Sequence, residues 1–145
     1  MIDLSKKLFY ATEAVLYIAY NSASERVSSR DIAKTNGLTP RYLEQIMQKL
    51  VRAKILKGMR GPSGGYLLAR EKRRISIYDI SKAIEDNEKF EATTPLGKEI
   101  IFPLVNLFRD SLNKLMLETT IADLYEKAEA NNIKKSIDEK NDFNI

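Results

Sequence analysis

The chain has 145 residues, 43% hydrophobic and 30% charged, an ordinary balance that suits one globular domain with an extension and is too short for two cores. It contains no cysteine and no histidine, which excludes disulfides, thiolate-held zinc or iron–sulfur centres, the usual general base and the usual pH switch. The net charge of +4 is uneven: residues 1–86 hold 16 Lys/Arg against 9 Asp/Glu, residues 87–145 hold 8 against 11, and the stretch 41–74 alone has 10 basic and 2 acidic residues.

A basic module followed by a mildly acidic one points to a polyanionic partner at one end. Charge by itself is also how a solvated face reads, so the helical pattern has to decide. No apolar run reaches the roughly 18 residues of a membrane span and no basic-then-apolar leader opens the sequence, so the expected location is the cytoplasm, with no membrane partner. The remaining acids, lysines and tyrosines form no catalytic motif, and no internal repeat is present.

Over residues 4–20 the apolar Leu8, Ala11, Val15, Ile18 and Ala19 recur at helical spacing, with Lys6, Lys7 and Glu13 opposite. Ser28-Ser29-Arg30-Asp31 reads as a capping box, in which Ser28 caps a new helix and Asp31 reaches back. That helix carries Ile32 and Ala33 and stops at Asn36-Gly37, where glycine tolerates a left-handed cap. Thr39-Pro40 opens the next helix at once, with Thr as N-cap and Pro at the first helical position. Two helices joined by so short a glycine-containing turn spell helix-turn-helix, over about residues 28–53.

The second of these helices, about residues 40–53, is the most informative segment. Leu43, Ile46, Met47, Leu50 and Val51 share one face; Arg41, Glu44, Gln45, Gln48, Lys49 and Arg52 share the other. A structural helix needs only the apolar half of that pattern. The polar half suits a major groove, because Arg and Lys neutralise phosphates or pair with guanine and Gln pairs with adenine.

Residues 55–70 place two short apolar runs around Gly61-Pro62-Ser63-Gly64-Gly65, which reads as a β-hairpin, the wing of a winged helix. The small tip residues, Ser63 and Gly64 among them, let backbone approach a sugar-phosphate edge, and Arg60 stands where it can enter a minor groove. The tip lacks the Gly-Lys-Ser/Thr ending of a nucleotide-phosphate loop and opens no helix. Ser76-Ile77-Tyr78-Asp79 is a second capping box, starting a short helix that closes the winged domain near Asp86.

Residues 87–99 read as a polar linker. In the helix that starts near Phe102-Pro103, apolar residues from Ile101 to Met116 spread over about half the circumference, more than packing on one side requires. Leu104, Phe108, Leu112, Leu115 and Met116 are therefore the expected dimer contacts, the alternative being a helix buried wholly within one subunit. Thr120-Ile121-Ala122-Asp123 caps a last helix, residues 100–131 are grouped as dimerisation helices, and the polar tail 132–145 is expected to be disordered.

Asp31-Ile32-Ala33, Tyr42-Leu43-Glu44-Gln45, Arg60-Gly61-Pro62, Gly64-Gly65-Tyr66-Leu67-Leu68-Ala69 and Ile75-Ser76-Ile77-Tyr78-Asp79-Ile80, in this order, resemble the Rrf-two family of bacterial regulators. The likeness covers roughly residues 1–130. It implies a mainly α fold, a winged helix-turn-helix domain (1–86) with a long C-terminal dimerisation helix, working as a two-fold dimer on a pseudo-palindromic operator in double-stranded DNA. The family's DNA contacts fall on Thr39, Arg41, Glu44 and Arg60, with backbone contacts near Lys7 and Tyr42; position 41 is Arg where a small polar residue is common. Many members hold an iron–sulfur cluster on three cysteines before the dimerisation helix, where this chain reads Phe90-Glu-Ala-Thr-Thr-Pro-Leu-Gly-Lys-Glu-Ile100. Cofactor and metal are accordingly expected to be none, with any signal arriving through a partner protein or small ligand. The expected function is a homodimeric repressor; the alternatives are a winged-helix interaction module that ignores DNA, and a small-molecule-binding or enzymatic protein.

Overall fold

The computed structural model describes residues 5–22, 26–61, 64–86 and 89–137. In chain order come α1 (Lys6–Asn21), α2 (Ser29–Asn36), α3 (Pro40–Arg52), β1 (Leu56–Met59), β2 (Gly65–Leu68), α4 (Ile77–Ile84), α5 (Phe102–Glu118) and α6 (Ile121–Ala130). A 3-10 turn at Lys72–Arg74 precedes α4, and a π-helical turn at Gly97–Ile101 runs into α5.

Among the described residues, five of the six α-helices start where a hydroxyl meets an unpaired amide. Ser5, Ser28, Thr39, Ser76 and Thr120 each accept from the backbone N–H three residues on. Asp79 and Asp123 return the bond to the amides of Ser76 and Thr120, at 2.9 and 2.8 Å, completing two capping boxes. The box expected at Ser28 closes on one arm only: Asp31 supplies its amide, 3.1 Å from Ser28 Oγ. α2 ends as its sequence dictates, with Gly37 at φ +70° and its N–H on the Ala33 carbonyl.

α1 forms the centre of the core. Its Ala11, Ala14, Val15 and Ile18 are fully buried with Ile32 of α2, Leu43, Met47 and Leu50 of α3, and Ile80 of α4. The two small alanines let neighbouring helices approach while the branched residues fill the gaps between them. The wing pairs Leu56 with Leu68, Lys57 with Leu67, Gly58 with Tyr66 and Met59 with Gly65. Val27, just ahead of α2, adds one rung by exchanging both backbone bonds with Tyr66, at 3.1 and 2.7 Å.

Beyond α4 the expectations need three corrections. The linker is shorter than residues 87–99, because helix begins at Pro95. Pro103 does not open a new helix; it sits inside a continuous one. A proline ring crowds the carbonyl four residues back, and the π turn relieves this by widening the helix just there, with Phe102 N–H bonded to Gly97 O. α6 packs back onto the winged unit. Ile77 N–H bonds Thr119 O, Ile121 N–H bonds Ile75 O, both at 2.9 Å, and Ile121 is fully buried.

The third correction concerns the tail. Residues 133–137 are anchored, not free: Tyr20 donates to the Ile133 carbonyl, and Asn21 Oδ1 accepts from the Ser136 amide and hydroxyl, both at 2.8 Å. Lys135 Nζ lies 4.9 Å from the ring centres of Tyr20 and Tyr125. Its donation to the Tyr125 hydroxyl, then to Glu129, holds its ammonium above the usual lysine range. The rest of the expected tail, 138–145, lies outside the described residues.

Candidate nucleic-acid interface

α3 buries Leu43, Ile46, Met47 and Leu50 and turns its other side outward. Arg41, Glu44, Gln45, Gln48 and Arg52 are exposed there, whereas Lys49 and Tyr42 are half-buried along its flank. Thr39 Oγ1 accepts from the Tyr42 amide at 3.4 Å, which leaves the hydroxyl proton free to donate outward. Tyr42 packs edge-on against Tyr10 of α1, ring centres 6.2 Å apart, so α1 fixes the entry of the helix.

The wing stands beside this face. Glu44, Gln48, Val51 and Arg52 of α3 share one open trough with Arg60, Gly64 and Tyr66 of the wing and with Ser28 and Ser29 at the start of α2. Five of the expected contact residues, Glu44, Gln48, Arg52, Arg60 and Gly64, are thus brought to one surface. Ser63 lies outside the described residues. Tyr66 is a member that the sequence did not single out as a contact: burial first, and the Glu44 charge second, push its phenol above the usual tyrosine range. The signal was present in the Gly-Gly-Tyr motif, but the distance from Tyr66 to Glu44 exists only in the fold.

The tip glycines have a reason inside the protein as well. A Cβ on Gly64 would stand 2.6 Å from the Met59 carbonyl oxygen, and one on Gly65 would stand 2.8 Å from that of Val27. The backbone itself closes this corner, independently of any ligand.

On the other flank of α3 a second hollow is lined by Lys7, Tyr42, Gln45, Gln48, Lys49 and Arg52. Lys7 and Lys49 both reach Asp86 there, each at 3.0 Å. Not all of the basic 41–74 stretch faces outward: Arg70 bonds the carbonyls of Ala53 and Arg74 and lies 3.6 Å from Asp79, tying the wing base to α4.

The five expected dimer contacts fall on two sides of α5. Leu104, Phe108 and Leu115 are 45%, 56% and 63% exposed, beside Ile100, Ile101 and Leu107, which are exposed too. Leu112 and Met116 are half-buried and line the cleft that Tyr78 and Ile84 of α4 share with the start of α1. α5 buries none of its residues fully within the chain.

A family model, Rrf2, described as an iron-dependent transcriptional regulator, matches residues 4–127. The chain belongs to the Rrf2 family. It is 36% identical over 96 residues to the HTH-type transcriptional regulator IscR of Xenorhabdus nematophila, a span of 66% of this chain and 57% of that protein. It therefore aligns to little more than half of that curated relative. The structure superposes on T. potens IscR with a TM-score of 0.76 at 29% identity, covering 94% of this chain and 95% of that one. It also superposes on CymR (YrzC), the global cysteine regulator of B. subtilis, with a TM-score of 0.70 at 30% identity, covering 88% and 98%. These relatives are transcriptional regulators, not enzymes.

The iron dependence in the Rrf2 description does not fit the donors of this member. Its 145 residues offer no thiolate and no imidazole, and among the described residues no three acidic side chains are grouped to hold a metal ion. Ahead of α5, Thr94 Oγ1 instead accepts from the Gly97 amide at 3.1 Å and helps start the helix. Protein purified under anaerobic conditions is expected to show no visible absorption band, and dithionite or air to leave its duplex affinity unchanged. Stoichiometric iron with a visible chromophore would refute this.

Proposed function

We propose that this Rrf2 protein is a sequence-specific, DNA-binding repressor that acts as a homodimer on a pseudo-palindromic operator in the cytoplasm, without an iron–sulfur cluster of its own. The observation that carries the reading is the shared surface of α3 and wing, where Glu44, Gln48, Arg52 and Arg60 are exposed around one trough, with Arg41 exposed in the first turn of the same helix. α3 supplies donors and acceptors for base edges, and Arg60 extends the contact toward a minor groove. A dimer seated over a promoter excludes polymerase by occupancy. A partner protein or small ligand supplies the signal.

The first test is binding to a random duplex across salt concentrations. Affinity should fall linearly on a log–log plot, with a slope of about −0.9 per phosphate neutralised. Retention of partner proteins with no affinity for duplex at any salt concentration would instead support a protein-interaction module.

The second test separates positioning from reading. Arg60→Ala is expected to weaken operator binding by about 1–3 kcal/mol. Glu44→Ala is expected to relax sequence choice while leaving affinity for random duplex equal or higher, since a carboxylate accepts from cytosine but repels phosphate. Selection from a randomised duplex pool reads both. A uniform loss for all sequences with Glu44→Ala would make that residue structural.

A further inference from the structure

Lys7 on α1 and Lys49 on α3 are 42 positions apart, yet they converge on a single carboxylate. Asp86 Oδ2 accepts from Lys7 Nζ and Asp86 Oδ1 from Lys49 Nζ, each at 3.0 Å. Two ammonium groups on two elements, each taking one oxygen of the same anion, is how a protein holds a backbone phosphate. Here the anion is the protein's own. Asp86 lies two residues beyond the end of α4, and its side chain is 66% exposed, so nothing encloses it. The lysines help line the hollow beside Tyr42, Gln45, Gln48 and Arg52, on the same outward surface as the reading face of α3.

We infer that Asp86 is an internal stand-in for a DNA phosphate, clamped by Lys7 and Lys49 in the free protein and displaced when a duplex docks. The inference rests on the DNA-binding reading above. Both partners stay ionised at neutral pH: the hydrogen bond to Asp86 raises the Lys7 ammonium, and Lys7, then Lys49, hold the Asp86 carboxyl below the usual range. The clamp is therefore a true ion pair, opened by exchange with another anion and not by a proton.

The consequence is a threshold. An uncovered lysine pair attracts any polyanion, whereas a covered pair must exchange one anion for another, so phosphate contact alone gains little. Every duplex meets the same penalty, and only those that add base contacts through Arg41, Glu44 and the glutamines remain bound. Exposed ion pairs are individually weak, which makes this one displaceable.

The experiment is fluorescence anisotropy with a labelled random-sequence duplex at low salt, on the full chain. Asp86→Asn is expected to bind about three- to tenfold tighter than the parent. In a Lys7→Met/Lys49→Met background the same change should gain less than about twofold, because the lysines are what it uncovers. Asp86→Ser should match Asp86→Asn, and thermal melting checks that each variant is folded. An equal gain in both backgrounds would show a general charge effect and overturn the clamp, as would no gain in the parent background. If the parent itself binds no duplex, the proposed function falls and the clamp with it; if the parent binds and the gain is absent, only the clamp falls.

Discussion

Phe108→Glu is expected to give a folded monomer whose operator affinity has dropped by at least about 100-fold. Phe108 stands between Leu104 and Leu115 on one stripe of α5, within about 40° on the helical wheel. These three are 45–63% exposed, and nothing among the described residues covers them. A second copy of α5 lying on this stripe would bury them, at about 1.5–3 kcal/mol of transfer free energy for each side chain fully covered. A glutamate there has no paired cation, and a buried unpaired charge is costly enough to open an interface. Two half-sites about 34–36 Å apart need two rigidly joined recognition helices, and losing that linkage removes an avidity of about 10²–10⁴. Binding to random duplex, which a single winged domain can manage, should fall much less. Sedimentation equilibrium beside a gel-shift titration measures both. Leu112→Glu is the contrasting variant: Leu112 is half-buried on the α4 side, so that change should lower the melting temperature of the protomer itself. A folded monomeric Phe108→Glu protein with parental operator affinity would sink the dimer model.

What the sequence made legible was what neighbouring residues decide among themselves. Ser28, Thr39, Ser76 and Thr120 cap helices three residues away, Gly37 ends one, and the apolar phase of α3 fixes which side faces out. The wing followed from the same local grammar, and its register agrees with two short runs about a Gly-rich tip. What stayed hidden depends on residues distant in sequence. Asp86 meets partners 79 and 37 residues away, and a lone Asp at a helix end carries no mark of that. Pro103 read as a helix start because a π turn leaves no pattern in composition. Residues 133–137 read as tail because they are polar, yet their anchors are specific hydrogen bonds to Tyr20 and Asn21 of α1. α5 is apolar over a broad arc, but periodicity could not divide that arc between the part that faces α4 and the part left exposed. Only the fold separates Leu112 and Met116 from Leu104, Phe108 and Leu115.

Gly65→Ala should lower the melting temperature by roughly 5–15 °C and cut the contribution of Arg60 to DNA binding by more than half. The added Cβ would lie 2.8 Å from Val27 O, 3.0 Å from Val27 C and 3.1 Å from Arg26 Cβ. Two of those three atoms are backbone, so relief requires moving the chain and not merely turning a side chain. Val27 is 4% exposed and holds Tyr66 by two backbone bonds, so it has little room to retreat. Overpacking costs about 1–3 kcal/mol and each lost backbone bond about 0.5–1.5 kcal/mol, so the combined loss is about 2–4 kcal/mol. At this chain length that corresponds to about 2–4 °C per kcal/mol. The helix-turn-helix needs none of these contacts and should persist, but the wing swings away from α3 and takes Arg60 out of the shared trough. Arg60→Ala should therefore cost about 1–3 kcal/mol in the parent and less than half of that beside Gly65→Ala. The measurement is a double-mutant cycle on operator affinity, run below the melting point of the weakest variant. Full additivity would mean that Arg60 meets DNA without the wing being held at Val27, and the role given to this strand pairing in placing Arg60 would be wrong.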